Sequence, residues 1–373
     1  MKKHLFYFMV IIFMLSCTSK KSLKKTKNKS SSKYKIIKVM EQKDSVRNFI
    51  PNMLNLIKTI PYETIKPELI FSTTVFLGEN KDVYMYDPKL FSLHKLAFKN
   101  NYNEYTHMLI GKRSIEGQGP GEISKVSDIK FFKDKIYFID AGSNLIKIFN
   151  QNGKHHKDIR IIGTNLLFRK ISFIGDNLLL GVFGVDDMFS ECTMNGVLIR
   201  KFGEYIDKNY QRNMIYHQYR LSQPFESTKF YYLPLFLGFV GLYDKGELVF
   251  AKETIDGEKK PRVLVERTNH SVTKRMKGVP FRTVSKSALN KDFILIKAID
   301  MEKKIAYWDI YSINDFDYLF SIKNPPKSYD FDISGNILVS VSESDLKIFS
   351  IKKLKQLVKK TKDGSASPRL HRP

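Results

Sequence analysis

The sequence predicts an all-β chain: a six-bladed β-propeller of four-stranded antiparallel blades, preceded by an export signal and a flexible basic tether. Three observations carry this. The 373 residues include 28 Phe and 19 Tyr and are 42% hydrophobic, a composition that buries a large core and leans towards strands. A unit of strand, polar turn and strand recurs along the chain. It is clearest at 127–154, SDIKFFKDKIYFIDAGSNLIKIFNQNGK, where Ile129 and Phe131, then Ile136 and Phe138, then Leu145, Ile148 and Phe149 mark successive strands. The first apolar residue after the recurring turn falls at Val83, Ile136, Leu178, Leu248, Ile294 and Ile337, at intervals of 53, 42, 70, 46 and 43. Such spacing matches four-stranded blades, whose two apolar faces are buried only by packing in a ring. A β-sandwich of unrelated strands would lack the unit and the spacing.

The elements follow in order. Residues 1–17, MKKHLFYFMVIIFMLSC, open on Lys2 and Lys3 and continue in an uninterrupted apolar run of 11 residues. A membrane span needs about 20 residues, so this is a signal-peptide core. It ends at Leu15-Ser16-Cys17, where a small residue before Cys resembles the bacterial lipobox, which makes Cys17 the candidate lipidation site. A conventional cleaved signal or an uncleaved anchor are the alternatives; no A-x-A-like site follows, which favours lipidation. Residues 18–33 hold seven Lys, five Ser and one large apolar residue, Leu23, and are expected to form a disordered tether beside anionic headgroups. The propeller is assigned to 34–351, with an insertion at about 203–237. The strand at 34–39 is expected to close the ring by pairing near 345–351. Residues 352–373 form a basic tail that begins with Leu354, Leu357 and Val358 among lysines, a pattern for a short helix on the body or membrane, with 361–373 disordered.

Charge and cysteine content narrow the function classes. Of the formal net charge of +25, residues 1–50 contribute +11 and residues 352–373 contribute +7, which leaves +7 for the body. A basic stripe that reads nucleic acid belongs inside the folded body. The charge lies at the two ends instead, and nucleic acid is not expected as a partner. Two Cys exclude a disulfide scaffold and a Cys-based zinc cluster; Cys192, in the strand-like FSECTM, reads as a small buried hydrophobe.

The segment Gly117-Gln118-Gly119-Pro120-Gly121-Glu122, followed by a blade with the core Ile-Tyr-Phe-Ile-Asp at 136–140, resembles the six-bladed β-propeller lipoproteins of Gram-negative bacteria, distantly akin to NHL-repeat and TolB-like propellers. The likeness spans about 34–351 and includes an amphipathic stretch at 46–60 and Ile60-Pro61-Tyr62-Glu63-Thr64. It implies an envelope protein, lipid-anchored on the periplasmic side or the outer surface. In physical terms GQGPGE is a blade-to-blade turn: Gly117, Gly119 and Gly121 permit positive φ, Pro120 fixes one φ, and Glu122 accepts backbone N–H bonds or faces the channel.

The 70-residue interval holds the candidate partner site. Tyr205, Tyr210, Tyr216 and Tyr219 are interleaved there with Arg212, His217 and Arg220, and aromatic faces beside donors suit protein, peptide or glycan contacts. The competing reading makes 230–239 a buried strand and 209–220 a surface helix packed on it. No G-x-S-x-G, H-E-x-x-H or P-loop occurs, and no catalytic residue or cofactor is assigned. The expected function is a binding module. The alternative is a calcium-dependent hydrolase or lactonase, a chemistry found among six-bladed propellers; Glu122, Asp128, Asp140, Asn144 and Asn177 have the right side chains for it. Asp140 and Asp309, each after an apolar strand, are expected to cap turns, and His155-His156 to lie in an exposed turn.

Overall fold

The computed structural model describes residues 39–363, with interruptions at 43–45, 66–68, 70–71, 73, 79, 114–118, 164–167, 183–186, 204–218, 224–226, 258–261, 268–271 and 278–280. The signal peptide, Cys17 and the tether lie outside the described residues, as does 364–373.

The chain is an all-β six-bladed propeller. Blade 1 comprises Thr74–Leu77, Val83–Asp87, Ser92–Lys99 and Glu104–Ile110, and blade 2 comprises Val126–Phe132, Lys135–Asp140, Leu145–Asn150 and His155–Ile159. Blade 3 comprises Phe168–Ile174, Asn177–Val182, Phe189–Cys192 and Leu198–Phe202. Blade 4 comprises Tyr219–Ser222, Lys229–Pro234, Phe239–Asp244 and Glu247–Glu253, and blade 5 comprises Phe281–Leu289, Phe293–Asp300, Ile305–Ser312 and Tyr318–Ile322. Blade 6 takes Asp330–Ser334, Ile337–Val341 and Asp345–Ser350 from the end of the chain and Asn55–Pro61 from its beginning. In blades 1 to 5 the four antiparallel strands follow chain order outward from the axis; in blade 6 Asp330–Ser334 is innermost and Asn55–Pro61 outermost.

Period-two alternation explains why the second strands are apolar on both faces. In blade 4, Phe230 and Tyr232 pack towards Phe189 and Leu179 of blade 3, while Tyr231 and Leu233 pack towards Ile294 and Ile296 of blade 5. In blade 6, Ile337, Val339 and Val341 face Val83 and Met85 of blade 1, and Leu338 faces Leu295 and Trp308 of blade 5. The main core clusters correspond to the seams between successive blades; the remaining two lie between blades 1 and 2, around Phe138 and Tyr84, and between blades 2 and 3, around Phe173 and Ile171. No blade has a core of its own, so the ring is the cooperative unit.

The inner hairpins of blades 2, 3 and 6 use turns with positive φ, which matches the right-handed strand twist. Lys133 and Asp134 both lie at positive φ, and Gly175 and Gly335 do so at the equivalent turns. The same chemistry recurs at Lys245-Gly246, but there it joins the third and fourth strands of blade 4. This corrects one anchor: Val83, Ile136, Leu178, Ile294 and Ile337 lie in second strands, whereas Leu248 lies in a fourth. The second strand of blade 4 contains Phe230, so 229–237 belongs to the blade and not to an insertion. Residues 203–218 remain as the link between blades 3 and 4, and further chain lies between blades 4 and 5, where Arg262–Arg267 and Val272–Lys277 form a separate hairpin.

Ring closure also differs from the sequence expectation. The strand pairing with Asp345–Ser350 is Asn55–Pro61, with Leu56 opposite Phe349 and Ile60 opposite Leu346. Val39–Met40 instead adds in parallel to the outer strand of blade 4, and Phe49–Ile50 adds in parallel to the outer strand of blade 5. The amino-terminal segment is therefore a strap along the outer edges of blades 4, 5 and 6. Gln42 fastens it by donating to the Glu253 and Phe316 carbonyls, at 2.9 and 3.1 Å. At the other end of the chain, the helix α1 (Lys352–Lys362) buries Leu354 and Val358 against the seam of blades 5 and 6, and Lys355 pairs with Asp292 at 3.4 Å. The apolar spacing 354, 357, 358 thus places the helix on the body. Among the described residues no helix is long and apolar enough to cross a membrane.

Candidate functional site

The six first strands surround an axial cavity of about 360 Å³. Innermost strands have a free face only towards this axis, because their other face packs on the seam. Ile129, Ile171, Leu221 and Phe331 turn into the seams, while the neighbouring Lys130, Lys170, Arg220, Lys286, Asp128, Asp330 and Asp332 line the cavity. The cations come one each from blades 2, 3, 4 and 5. The acids come from blades 2 and 6.

The three carboxylates brace the ring. Asp128 accepts a hydrogen bond from the Ile171 amide of blade 3 at 3.0 Å, Asp330 from the Val75 amide of blade 1 at 3.2 Å, and Asp332 from the Leu77 amide of blade 1 at 2.8 Å. Asp330 and Asp332 also accept the Phe331 and Ile333 amides, at 2.9 and 2.8 Å. Burial pushes the Asp332 carboxyl up to about 6 despite these amides, with nearby Asp330 adding to the rise. Lys286 pairs with Asp330 at 2.8 Å, and Lys170 reaches Asp128 at 3.7 Å. Lys130 donates to the Leu221 carbonyl of blade 4 at 3.1 Å, reaching past blade 3, and Arg220 Nε donates to the Ser285 carbonyl at 2.9 Å. Burial first, and then the Arg220 and Lys170 charges, together lower the Lys286 pKa to about 8 against the opposing pull of Asp330. Lys170 is lowered for the same reasons, first by burial, then by Arg220 and Lys130 against Asp128. The cavity is therefore polar and rich in hydrogen-bond donors.

No family model matches the chain, and no curated protein matches it in sequence. Among solved structures, a Bacteroides fragilis protein classed as exported superposes with a TM-score of 0.54 at 13% identity, covering 85% of this chain and 100% of that one. A DUF4221-family protein from Bacteroides vulgatus gives 0.49 at 11% identity, covering 80% and 97%. Virginiamycin B lyase from Staphylococcus aureus gives 0.47 at 10%, covering 79% and 98%. At such identities the likeness concerns the fold alone. The chain is a six-bladed propeller resembling an exported Bacteroides protein.

Of the residues the sequence singled out in this propeller, Tyr205, Tyr210, Arg212, Tyr216, His217 and Gly117 lie outside the described residues. Tyr219 is a correction: it is buried between blades 3 and 4, packs edge-on against Phe189 and Tyr232, and donates to the Met188 carbonyl at 3.3 Å, so it has no face for a partner. Arg220, its neighbour on the strand, points the opposite way into the channel. Glu122 serves the blade-to-blade turn: it accepts the Gly119 amide at 3.0 Å, and Gly121 takes a φ of 78° beside His155. Pro120 lies in the same turn, which leads from a parallel pairing of Lys112 with Glu122 into blade 2.

Among the described residues the calcium alternative finds no assembled donor set. Asp140 is consumed by the Ser124 and Ser143 hydroxyls, at 2.6 and 2.8 Å, and by the Lys125 amide at 2.9 Å. Asn177 donates to Glu191 at 2.7 Å, and Asn144 is a turn residue with φ 54°. Among the described residues no three His, Cys, Asp or Glu side chains converge as metal ligands. Asp140 caps its turn as expected. Asp309 is a correction, because it lies within a strand of blade 5 and pairs with Arg47 of the strap. His155 Nε2 lies 2.8 Å from Asp158, in the outer strand of blade 2 and not in a turn. Of the channel cations the sequence reading named only Arg220, for a different surface; Lys130, Lys170 and Lys286 escaped it although a signal existed, at least one Lys or Arg within the first strand of four successive blades.

Proposed function

We propose that this propeller is a cell-envelope lipoprotein of the Gram-negative kind, anchored through Cys17, and that it works as a binding module. The axial cavity of about 360 Å³ carries the reading. Ligand pockets run roughly 300–1,000 Å³ and join a few convergent polar groups to a rigid frame. Here each inner strand is paired within its blade and packs its other face on a seam, which sets the backbone positions of Lys130, Lys170, Arg220 and Lys286. The partner is a protein, peptide or envelope glycan that presents a group to the channel mouth. The functional analogy rests on the site and not on the fold, because propellers host unrelated activities.

Two measurements test it together. Crosslinking pull-down from intact envelopes with the wild-type chain should capture a partner that an Arg220→Met chain loses, while membrane fractionation of a Cys17→Ser chain should move the protein out of the membrane pellet. Equal capture by the channel variant removes the channel as the site. Unchanged processing and fractionation of Cys17→Ser removes the anchor.

A further inference from the structure

We infer that the axial channel is an anion site, which takes a ligand by a carboxylate or phosphate group held among Lys130, Lys170, Arg220 and Lys286. This deepens the proposal above and rests on its placement of binding in the channel.

Four observations converge. First, four cations from four blades line one cavity against three carboxylates. Second, those carboxylates are committed to the ring: Asp128, Asp330 and Asp332 spend oxygens on amides of the neighbouring blade or their own strand. An ammonium carries three N–H donors. Against that capacity, Lys170 meets its acid only at 3.7 Å and Lys130 makes its described bond to a neutral carbonyl. Third, the cations stand within each other's fields. Lys170 is destabilised by Arg220 and Lys130, and Lys286 by Arg220 and Lys170, beyond what burial does. An anion between them converts this mutual repulsion into attraction, in a setting where charge-assisted bonds are strong. Fourth, hydroxyl donors stand ready beside them. Ser127 Oγ is buried without a hydrogen-bond partner, and Ser222 and Ser287 bond each other at 2.8 Å across blades 4 and 5.

Carboxylate and phosphate share this chemistry, and the test separates them. The purified full chain is titrated calorimetrically with inorganic phosphate, with acetate and with neutral glucose, at constant ionic strength in chloride. Saturable one-to-one binding of phosphate or acetate, with none for glucose, is expected; the stronger of the two anions names the ligand group. Arg220→Met and Lys130→Met should each weaken it roughly tenfold or more with an unchanged circular dichroism spectrum, the loss that accompanies one charge-assisted hydrogen bond. Lys130→Arg should retain it. Should a variant fail to fold, the wild-type chain decides alone: the winning anion must raise the melting temperature above that in chloride of equal ionic strength. No saturable heat from either anion, or equal affinity in folded charge-removing variants, overturns the inference. Loss of envelope capture in Arg220→Met without binding of either anion sinks the anion site and leaves the channel reading standing. Anion binding with unchanged envelope capture does the reverse.

Discussion

Replacing Arg47 by Met should unlatch the strap and destabilise the propeller by about 3–5 kcal/mol at neutral pH, the cost of leaving a buried charge without its partner. Arg47 bonds Asp309 through Nε and Nη2, both at 3.0 Å, and Asp256 at 2.6 Å, and its guanidinium lies 4.2 Å from the Tyr307 ring centre. The side chains of Asp309 and Asp256 are only 1% and 4% exposed. Burial alone would lower the Arg47 pKa, but the two carboxylates outweigh it and hold the guanidinium firmly charged. Burial raises the Asp309 carboxyl above its ordinary value of 3.8 even with Arg47 and Ser321 opposing it. Without Arg47 two buried acids face each other, and that pKa climbs further. A folded-state carboxyl above its unfolded value binds extra protons in the folded chain, so its contribution to stability falls as pH rises through that window. The penalty in Arg47→Met should therefore shrink at pH 5, and Asp309→Asn in the same chain should restore part of it. For a chain of this size about 2 °C per kcal/mol gives a melting shift of roughly 6–10 °C at pH 7. Thermal and urea unfolding at both pH values measure it. A loss under about 1 kcal/mol, or the same loss at pH 5 and pH 7, would show that the cluster is a solvated surface pair and refute the argument.

Two further outcomes follow from buried groups. Burial, with help from Glu191, pushes the Cys192 thiol up to about 11, and its side chain is sealed in the seam of blades 2 and 3. In a Cys17→Ser chain it should not react with an aromatic disulfide reagent at pH 8 until urea unfolds the protein; rapid reaction of the native chain would contradict the seam packing. Asp140→Ala should cost about 2–4 kcal/mol, because it strands several donors at once. Burial would raise the Asp140 carboxyl, but hydrogen bonds from Ser124, Lys125 and Ser143 outweigh it and hold it below 3.8. That depressed value gives stability present above about pH 4 and lost as pH falls further. Urea unfolding should show the cost at pH 7 shrinking towards pH 3, and a constant cost would discount the carboxylate.

The blade count was legible because a blade is nearly a local object. Its hairpins carry turn residues at fixed offsets, and its second strand needs apolar side chains on both faces, as Ile136-Tyr137-Phe138-Ile139 shows. Blade 4 was misread because local chemistry cannot number a hairpin: Lys245-Gly246 and Lys133-Asp134 adopt the same positive φ at different places in a blade. Closure was misread for a related reason. Residues 39–61 contain three short strands that pair with partners 212, 272 and about 290 positions away, and nothing local distinguishes a parallel fifth strand from the antiparallel closing strand. Tyr219 and Arg220 show the limit at the site. As neighbours on one strand they must face opposite ways, so at most one could serve a ligand, but only the ring tells which face is the seam.

The channel is where the propeller departs from its own repetition. Seams demand the same thing of every blade, and they obtain it from Val, Ile, Leu and aromatic residues at alternating positions. The axis makes no such demand, so the first strands are free to differ, and they do. Blades 2 to 5 each send a cation inward, and blade 6 sends two acids whose oxygens tie it to blade 1. Self-neutralising structural glue would place each acid beside a cation within hydrogen-bond range. The observed arrangement does this for Lys286 and Asp330 at 2.8 Å, while Lys170 stands 3.7 Å from Asp128 and Lys130 bonds a carbonyl. Buried cations close to one another cost stability that apolar side chains in their place would not. Their convergence on one cavity is what supports the anion site proposed above.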